Sequence, residues 1–256
     1  MSKSIISELV KKISINEEFF ILQFFWEEPP PKAGQFFMIK PLRASTFLPR
    51  PFGVFEYNHE QKIVRFLISK RGKGTIELSQ MSAGEKVQLT GPLGNTWAEF
   101  LPENGKVALV GGSAGIAPLA ALVAEKPEYY FHFYAGFRQG FRGKEEENAI
   151  IGSAVKAKKV VLSAEDGRNA ITGKIIDYLF EPENYDAIFG CGPMPMLIAL
   201  KKKCRLKNVS CFVSLESKFG CGVGACLGCT VHTIKGNRRC CKDGPIFSAE
   251  EVIFDA

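Results

Sequence analysis

Residues 221–229 read CGVGACLGC, three thiols among glycines and alanines. A disulfide, a zinc site, a catalytic thiol or an iron–sulfur cluster could each use such a stretch. The spacing is Cys221-x4-Cys226-x2-Cys229, and the pair Cys240–Cys241 follows eleven and twelve residues later. That is the plant-type pattern for a [2Fe–2S] centre, with either member of the pair as fourth ligand. A loop around a cluster must turn sharply and aim several N–H groups at sulfur, which Gly222, Gly224 and Gly228 permit. Structural zinc sites use two C-x2-C pairs, whereas only one is present here. Cys204 and Cys211 sit among apolar neighbours and read as small buried hydrophobes.

Four other stretches could bind anions or flat rings. VGGSAGIAPL (110–119) is a glycine-rich turn between a strand and a helix, suited to a diphosphate at the helix N-terminus. It lacks the G-x-G-x-x-G spacing of the dinucleotide fingerprint. Its GGSAG core also matches a nucleophile elbow around Ser113, which would need an acid and then a histidine downstream. His59 precedes it, His132 comes too early and His232 lies beside the cysteines, so a hydrolase is disfavoured. CGPMPM (191–196) is a second strand-to-helix turn, at the sheet end where ligands bind. LPRPFGV (48–54) and LISKRGKGT (67–75) offer an arginine, an aromatic and backbone N–H groups to a diphosphate and a ring.

These residues need a frame. The first hundred residues carry short β-type segments (FFILQFFW, GQFFMIK, FGVFEY, KIVRFLIS, KVQLT) broken by turns, as in an antiparallel barrel or sandwich. From KVALVGG onward strands alternate with helices: the helix APLAALVAE, the strands YYFHFYAGF and KKVVLSAED, the helix ITGKIIDYLF, the strand YDAIFGCG and the helix PMLIALKKKC. This predicts a parallel sheet with crossovers. The fold class is α+β multidomain: a barrel over 1–100, an α/β domain over 101–210, and a cysteine-bearing tail over 211–256 that begins with the strand-like SCFVSLES.

The chain has 256 residues, 46% hydrophobic and 23% charged, with a net charge of +6, which is ordinary globular composition. No apolar run approaches the roughly 20 residues that span a bilayer, and no secretory signal is legible at the start. A cytoplasmic location is expected, which favours metal or redox chemistry over disulfides. KKKCRLK (201–207) reads as a solvated helix end rather than a nucleic-acid patch.

Taken in order, these segments resemble the electron-transfer subunit of NAD-linked, two-subunit dihydroorotate dehydrogenase, within the ferredoxin–NADP reductase superfamily. The most specific element is CKDGPIF (241–247) after the cysteine stretch, and the match covers essentially the whole chain. The resemblance implies that Cys221, Cys226, Cys229 and Cys241 hold the [2Fe–2S] cluster, with Cys240 a neighbour. It implies FAD on the barrel, at Arg50, Pro51, Phe52, Gly53, Leu67, Ile68, Ser69, Gly74 and Thr75. Arg50 would pair with the diphosphate, and Thr75 would contribute its hydroxyl. NAD would approach Gly111, Gly112, Gly115, Cys191, Gly192 and Pro193. Many relatives have serine where this chain has Gly53.

By resemblance, dihydroorotate is oxidised on the FMN of a partner catalytic subunit, and electrons reach NAD through the cluster and FAD. The setting would be pyrimidine (UMP) biosynthesis, in a complex of two subunits of each kind. No acid–base residue is implied. Phe219 and Ile246 are candidate interface residues or tail packing, and Arg138 and Arg142 could meet a 2′-phosphate. A related subunit serving a transhydrogenase or sulfur reductase is the alternative; a zinc-stabilised module is a remote one.

Overall fold

The structure is a computed structural model that describes residues 3–27, 29–42, 47–179 and 181–254. The first sheet contains β1 (Lys3–Ser14), β2 (Phe19–Phe25), β3 (Phe36–Pro41), β4 (Arg50–Gly53), β5 (Glu56–Asn58), β6 (Ile63–Ser69) and β7 (Lys86–Leu93), with α1 (Lys73–Gln80) after β6. The strand order is β4-β3-β7-β1-β2-β6-β5, antiparallel throughout. The twelve-residue β1 joins the two halves: Lys3–Glu8 pairs with β7, and Leu9–Ser14 pairs with β2. A register shift between Leu9 and Lys11 marks the bend, as a bulge does in a closing barrel.

The second sheet is the α/β domain: β8 (Lys106–Gly112), α2 (Ala117–Glu125), β9 (Tyr130–Phe137), α3 (Lys144–Ile151), β10 (Lys159–Ala164), β11 (Ile171–Thr172), β12 (Ala187–Cys191), α4 (Met194–Leu206) and β13 (Ser210–Ser214). After β13 come the hairpin β14 (Thr230–Thr233) and β15 (Gly236–Arg239), the single turn α5 (Cys240–Asp243) and β16 (Ile246–Ser248). The sheet order is β11-β10-β9-β8-β12-β13-β16, parallel except for β16. From β8 the chain builds outward to β11, then returns to lay β12 on β8's other side. The gap between β8 and β12 is therefore a topological switch point, where open α/β sheets bind ligands.

Three expectations change. ITGKIIDYLF does not form a helix over 171–180: Ile171–Thr172 is a strand and Ile175–Tyr178 one 3₁₀ turn, with Gly173 at φ +118° between them, while residue 180 lies outside the described residues. The segment from 211 opens as a strand of the α/β sheet, and Ile246–Ser248 returns to that sheet. Of the two roles open to Ile246, interface and packing, the interface one falls, because the side chain is buried in the core.

Why β2 is apolar at every position but Gln23 follows from period-two geometry. Phe20, Leu22 and Phe24 fill the barrel interior with Phe37, Phe66 and Leu89. Phe19 and Ile21 point the other way, into a cluster with Leu119, Val123, Phe133 and Phe137 of the α/β domain. Phe19 meets Phe137 edge-on at 6.2 Å, and Trp97 stacks on Phe189 at 4.9 Å. The two domains thus share one apolar wall. Glu125 of α2 also accepts from the Ala33 amide at 2.6 Å.

At the far end of the parallel sheet, His132 Nδ1 meets the Tyr185 hydroxyl at 2.8 Å, and Tyr134 meets the same hydroxyl at 2.7 Å. Burial, with the charges of Lys106 and Lys159, pushes His132 down to about 4. The folded state therefore keeps this ring neutral where an unfolded chain would bind a proton. Its contribution is present above the ordinary histidine value and is lost as pH falls through about 4. His132→Asn is expected to flatten the acid side of a Tm-against-pH curve between about pH 6.5 and about 4, relative to the parent. Parallel curves would remove His132 from the acid response.

Candidate functional site

One cavity of about 290 Å³ lies where the barrel, the switch point and the cysteine segment meet. Its barrel wall is Pro51, Phe52 and Gly53 of β4, Leu67, Ile68 and Ser69 of β6, and Thr75 of α1. Its α/β wall is Gly112 and Gly115 after β8, with Cys191, Gly192 and Pro193 after β12. The third wall is Leu215, Glu216, Phe219 and Pro245. Three stretches far apart in the chain thus face one space.

The two α/β turns touch through their backbones. Gly111 pairs with Cys191 across the parallel ladder, and a Cβ on Gly115 would lie 2.5 Å from the Cys191 carbonyl oxygen. Only a hydrogen fits there. Gly111 itself lies one residue deeper and does not line the cavity. The Cys191 thiol is buried, and burial holds its pKa far above the ordinary thiol value, with Glu216 adding to the effect and a hydrogen bond to Ser214 opposing it. It is a packing group, not a thiolate.

The flavin positions divide into two groups. Residues 51–53 and 67–69 form an apolar slot. Arg50 and Gly74 lie just beyond it against each other, since a Cβ on Gly74 would come 2.7 Å from Arg50 Nε. Arg50 Nη1 donates to the Leu48 carbonyl at 2.7 Å, so the guanidinium is held over the start of α1, a place suited to a diphosphate. The Thr75 hydroxyl, expected to bind FAD, caps α1: it accepts from the amides of Arg71 and Gly72 at 2.9 and 3.1 Å. A Cβ on Gly53 would sit 3.4 Å from Pro118, ordinary contact, so crowding does not dictate glycine there.

The cysteines form two neighbouring pairs. Cys221 lies against Cys226, and Cys229 against Cys241, which suits two irons with two thiolates each. The amides of Val223 and Cys226 point at Cys221 Sγ, and that of Cys241 at Cys229 Sγ, each at 3.4 Å. Burial would raise Cys221, but the N–H groups of Cys226, Val223 and Ala225 and the Cys226 thiol outweigh it and bring it down to about 6. The donor set fits a [2Fe–2S] cluster. Cys240 faces away, its thiol donating to the Leu215 carbonyl at 3.1 Å. The segment is stitched to the barrel by Asn95, whose side chain bonds both backbone groups of Ile246 at 2.8 and 3.0 Å. Phe219 stacks on Phe36 of the barrel at 5.1 Å.

Other sequence candidates have different roles. Ser113 Oγ is engaged by Arg71 and Glu18. His132 bonds Tyr185, His232 bonds Asn237 and His59 packs on Tyr57, so no histidine serves the serine and the hydrolase reading falls. Arg142 pairs with Glu146, and neither it nor Arg138 lines the cavity. Arg71 and Glu216, which sequence reasoning passed over, are the only charged side chains in the wall among the described residues. Glu216 is exposed at the cavity, and desolvation by the atoms around it holds its carboxyl above the ordinary range against the pull of Arg71. Neither residue sits in a recognisable spacing.

Residues 216–253 match the family model for the iron–sulfur cluster binding domain of dihydroorotate dehydrogenase B. The electron transfer subunit of dihydroorotate dehydrogenase B (NAD(+)) from Clostridium acetobutylicum is 35% identical over 246 residues, spanning 96% of this chain and 92% of its own. The chain belongs to this family. The subunit of the same name from Caldanaerobacter subterraneus subsp. tengcongensis is 38% identical over 245 residues, covering 94% of each chain. An NADH-dependent reduced ferredoxin–NADP oxidoreductase structure superposes with a TM-score of 0.79 at 27% identity, covering 96% of this chain and 89% of its own. The barrel, parallel sheet and C-terminal segment therefore follow the layout of that oxidoreductase chain.

Three substitutions test the site. Cys241→Ala is expected to lose iron and the visible cluster spectrum, whereas Cys240→Ala keeps about two irons per chain; equal iron in both would move the fourth ligand. Gly115→Ala, which drives a methyl into the Cys191 carbonyl, is expected to cost about 1–3 kcal/mol of stability. It should also slow flavin bleaching by NADH more than about tenfold while leaving FAD content intact, as read by stopped-flow absorbance.

Proposed function

We propose that the chain carries electrons between a dihydroorotate-oxidising catalytic subunit and NAD, through a [2Fe–2S] cluster and FAD, in pyrimidine biosynthesis. The observation that carries the reading is the single cavity walled by the barrel slot, the switch-point turns and the cysteine segment. Nicotinamide exchanges hydride, an iron–sulfur cluster passes single electrons, and a flavin does both, so FAD supplies the change of electron number.

The chain's own residues bind, orient and exclude water. Residues 51–53 and 67–69 would clasp the flavin ring, and Arg50, over Gly74, its diphosphate. The turns at Gly112–Gly115 and Cys191–Pro193 would place the nicotinamide against that ring. Cys221, Cys226, Cys229 and Cys241 would hold the cluster, and the Phe36–Phe219 stack and Pro245 close the cavity on the cluster side. No side chain is required as general acid or base.

The partner is the catalytic subunit of the same enzyme. We further assign FMN to that partner, two copies of each subunit to the complex, and the cytoplasm as the compartment, where clustered thiols stay reduced. Among the described residues no helix is long and apolar enough to cross a membrane. The half-exposed Val223 and the more exposed Leu227, beside the ligands, give the cluster face an apolar surface for docking.

An anaerobic spectrum with iron, zinc and flavin assays on one sample tests the reading. Two irons and one FAD per chain, bleached by NADH, are expected. A colourless protein carrying zinc would end it.

A further inference from the structure

If the cavity takes FAD and a pyridine nucleotide as proposed above, it must accommodate two diphosphates, and Arg50 serves one. The second cation in reach is Arg71. Its Nη2 donates to Ser113 Oγ at 2.9 Å, across the domain boundary, and its Nε to Ser69 Oγ at 3.3 Å. Each serine has one proton to give, and both give it to Glu18 Oε1, at 3.2 and 3.1 Å. Ser69 at the end of β6, Arg71 just after it, Glu18 in the turn before β2 and Ser113 of the α/β turn thus close a four-membered polar ring.

Two features mark this ring as more than a strut. Ser113 holds φ +51°, left-handed backbone that a residue with a side chain adopts only when its surroundings enforce it. The two side chains that hold its hydroxyl, Arg71 and Glu18, both come from the barrel. In addition, Arg71 forms no ion pair among the described residues, its guanidinium hydrogen-bonds only to neutral hydroxyls, and it is the one cation in the cavity wall, where the Glu216 carboxyl feels its charge. A guanidinium fork held open beside a glycine-rich turn that leads into α2 suits a diphosphate.

We infer that Arg71 clamps the diphosphate of the pyridine nucleotide, delivered by the barrel rather than by the α/β domain, with Ser113 and Glu18 positioning it over the turn. The ligand class is a nucleoside diphosphate. The two arginines divide the work: Arg50 lies over the start of α1 for the flavin, and Arg71 faces the β8 turn for the nucleotide.

The test uses the loaded subunit, with NAD+ and ADP-ribose as probes and adenosine as the phosphate-free control, binding being read from perturbation of the flavin band. Arg71→Gln is expected to retain FAD and iron, to weaken NAD+ and ADP-ribose binding roughly tenfold to hundredfold, and to leave adenosine unaffected. Saturating NADH should still bleach the flavin at nearly the parent rate. Arg71→Lys, which keeps the charge but loses the fork, should fall between the two. The parent's ADP-ribose affinity should fall with salt more steeply than that of Arg71→Gln. Unchanged ADP-ribose affinity in Arg71→Gln would reduce the ring to an interdomain strut. Loss of FAD from that variant would assign Arg71 to the flavin and overturn the inference. A parent that binds neither probe would sink the nucleotide reading itself, which separates the two failures.

Discussion

At the end of the parallel sheet, two turns lie backbone against backbone. Gly115 approaches the Cys191 carbonyl so closely that a single methyl would part them. That contact exists because β8 and β12 are neighbours, and they are neighbours because the chain reverses its direction of building between them. The contact turns a sheet edge into a narrow cleft whose floor is main chain. The remaining parts are arranged around it: the barrel supplies a flat apolar wall, and the cysteine segment closes the far side.

Rigidity comes from apolar burial on both faces of the shared strands. β2 fills the barrel with one set of aromatics and the α/β core with the other. Relative movement of the two domains would expose Phe19, Ile21 and Leu67 together. Polar contacts then refine the fit: Glu125 on the Ala33 amide, Asn95 on Ile246, and the ring around Ser113. Each joins segments distant in sequence, so none leaves a local signature.

That distinction separates what was legible in the chain from what was not. The cysteine spacing, the strands β2, β6 and β8 and both glycine turns could be read directly, because local chemistry or periodicity carries them. The helix expected over 171–180 failed at Gly173, whose φ of +118° interrupts an otherwise apolar pattern. α1 hid behind the glycines of RGKGT, and α3 behind a run of glutamates. The hairpin β14–β15 is short and largely polar, so alternation gives it no signal. Arg71 and Glu216 acquire significance only once folding brings residues 71, 113 and 216 to one cavity.

β16 pairs antiparallel with β13, and Ser214 faces Ile246 directly. The chain therefore leaves the sheet and re-enters it at the same rung, its two ends about 4.8 Å apart, one strand spacing. What the sequence presents as a terminal appendage is topologically an insertion, a long excursion between the two strands of a hairpin. Such a module can be exchanged, enlarged or replaced by a tight turn without breaking the register on either side. The cluster segment is, in architectural terms, a cassette plugged into a parallel sheet.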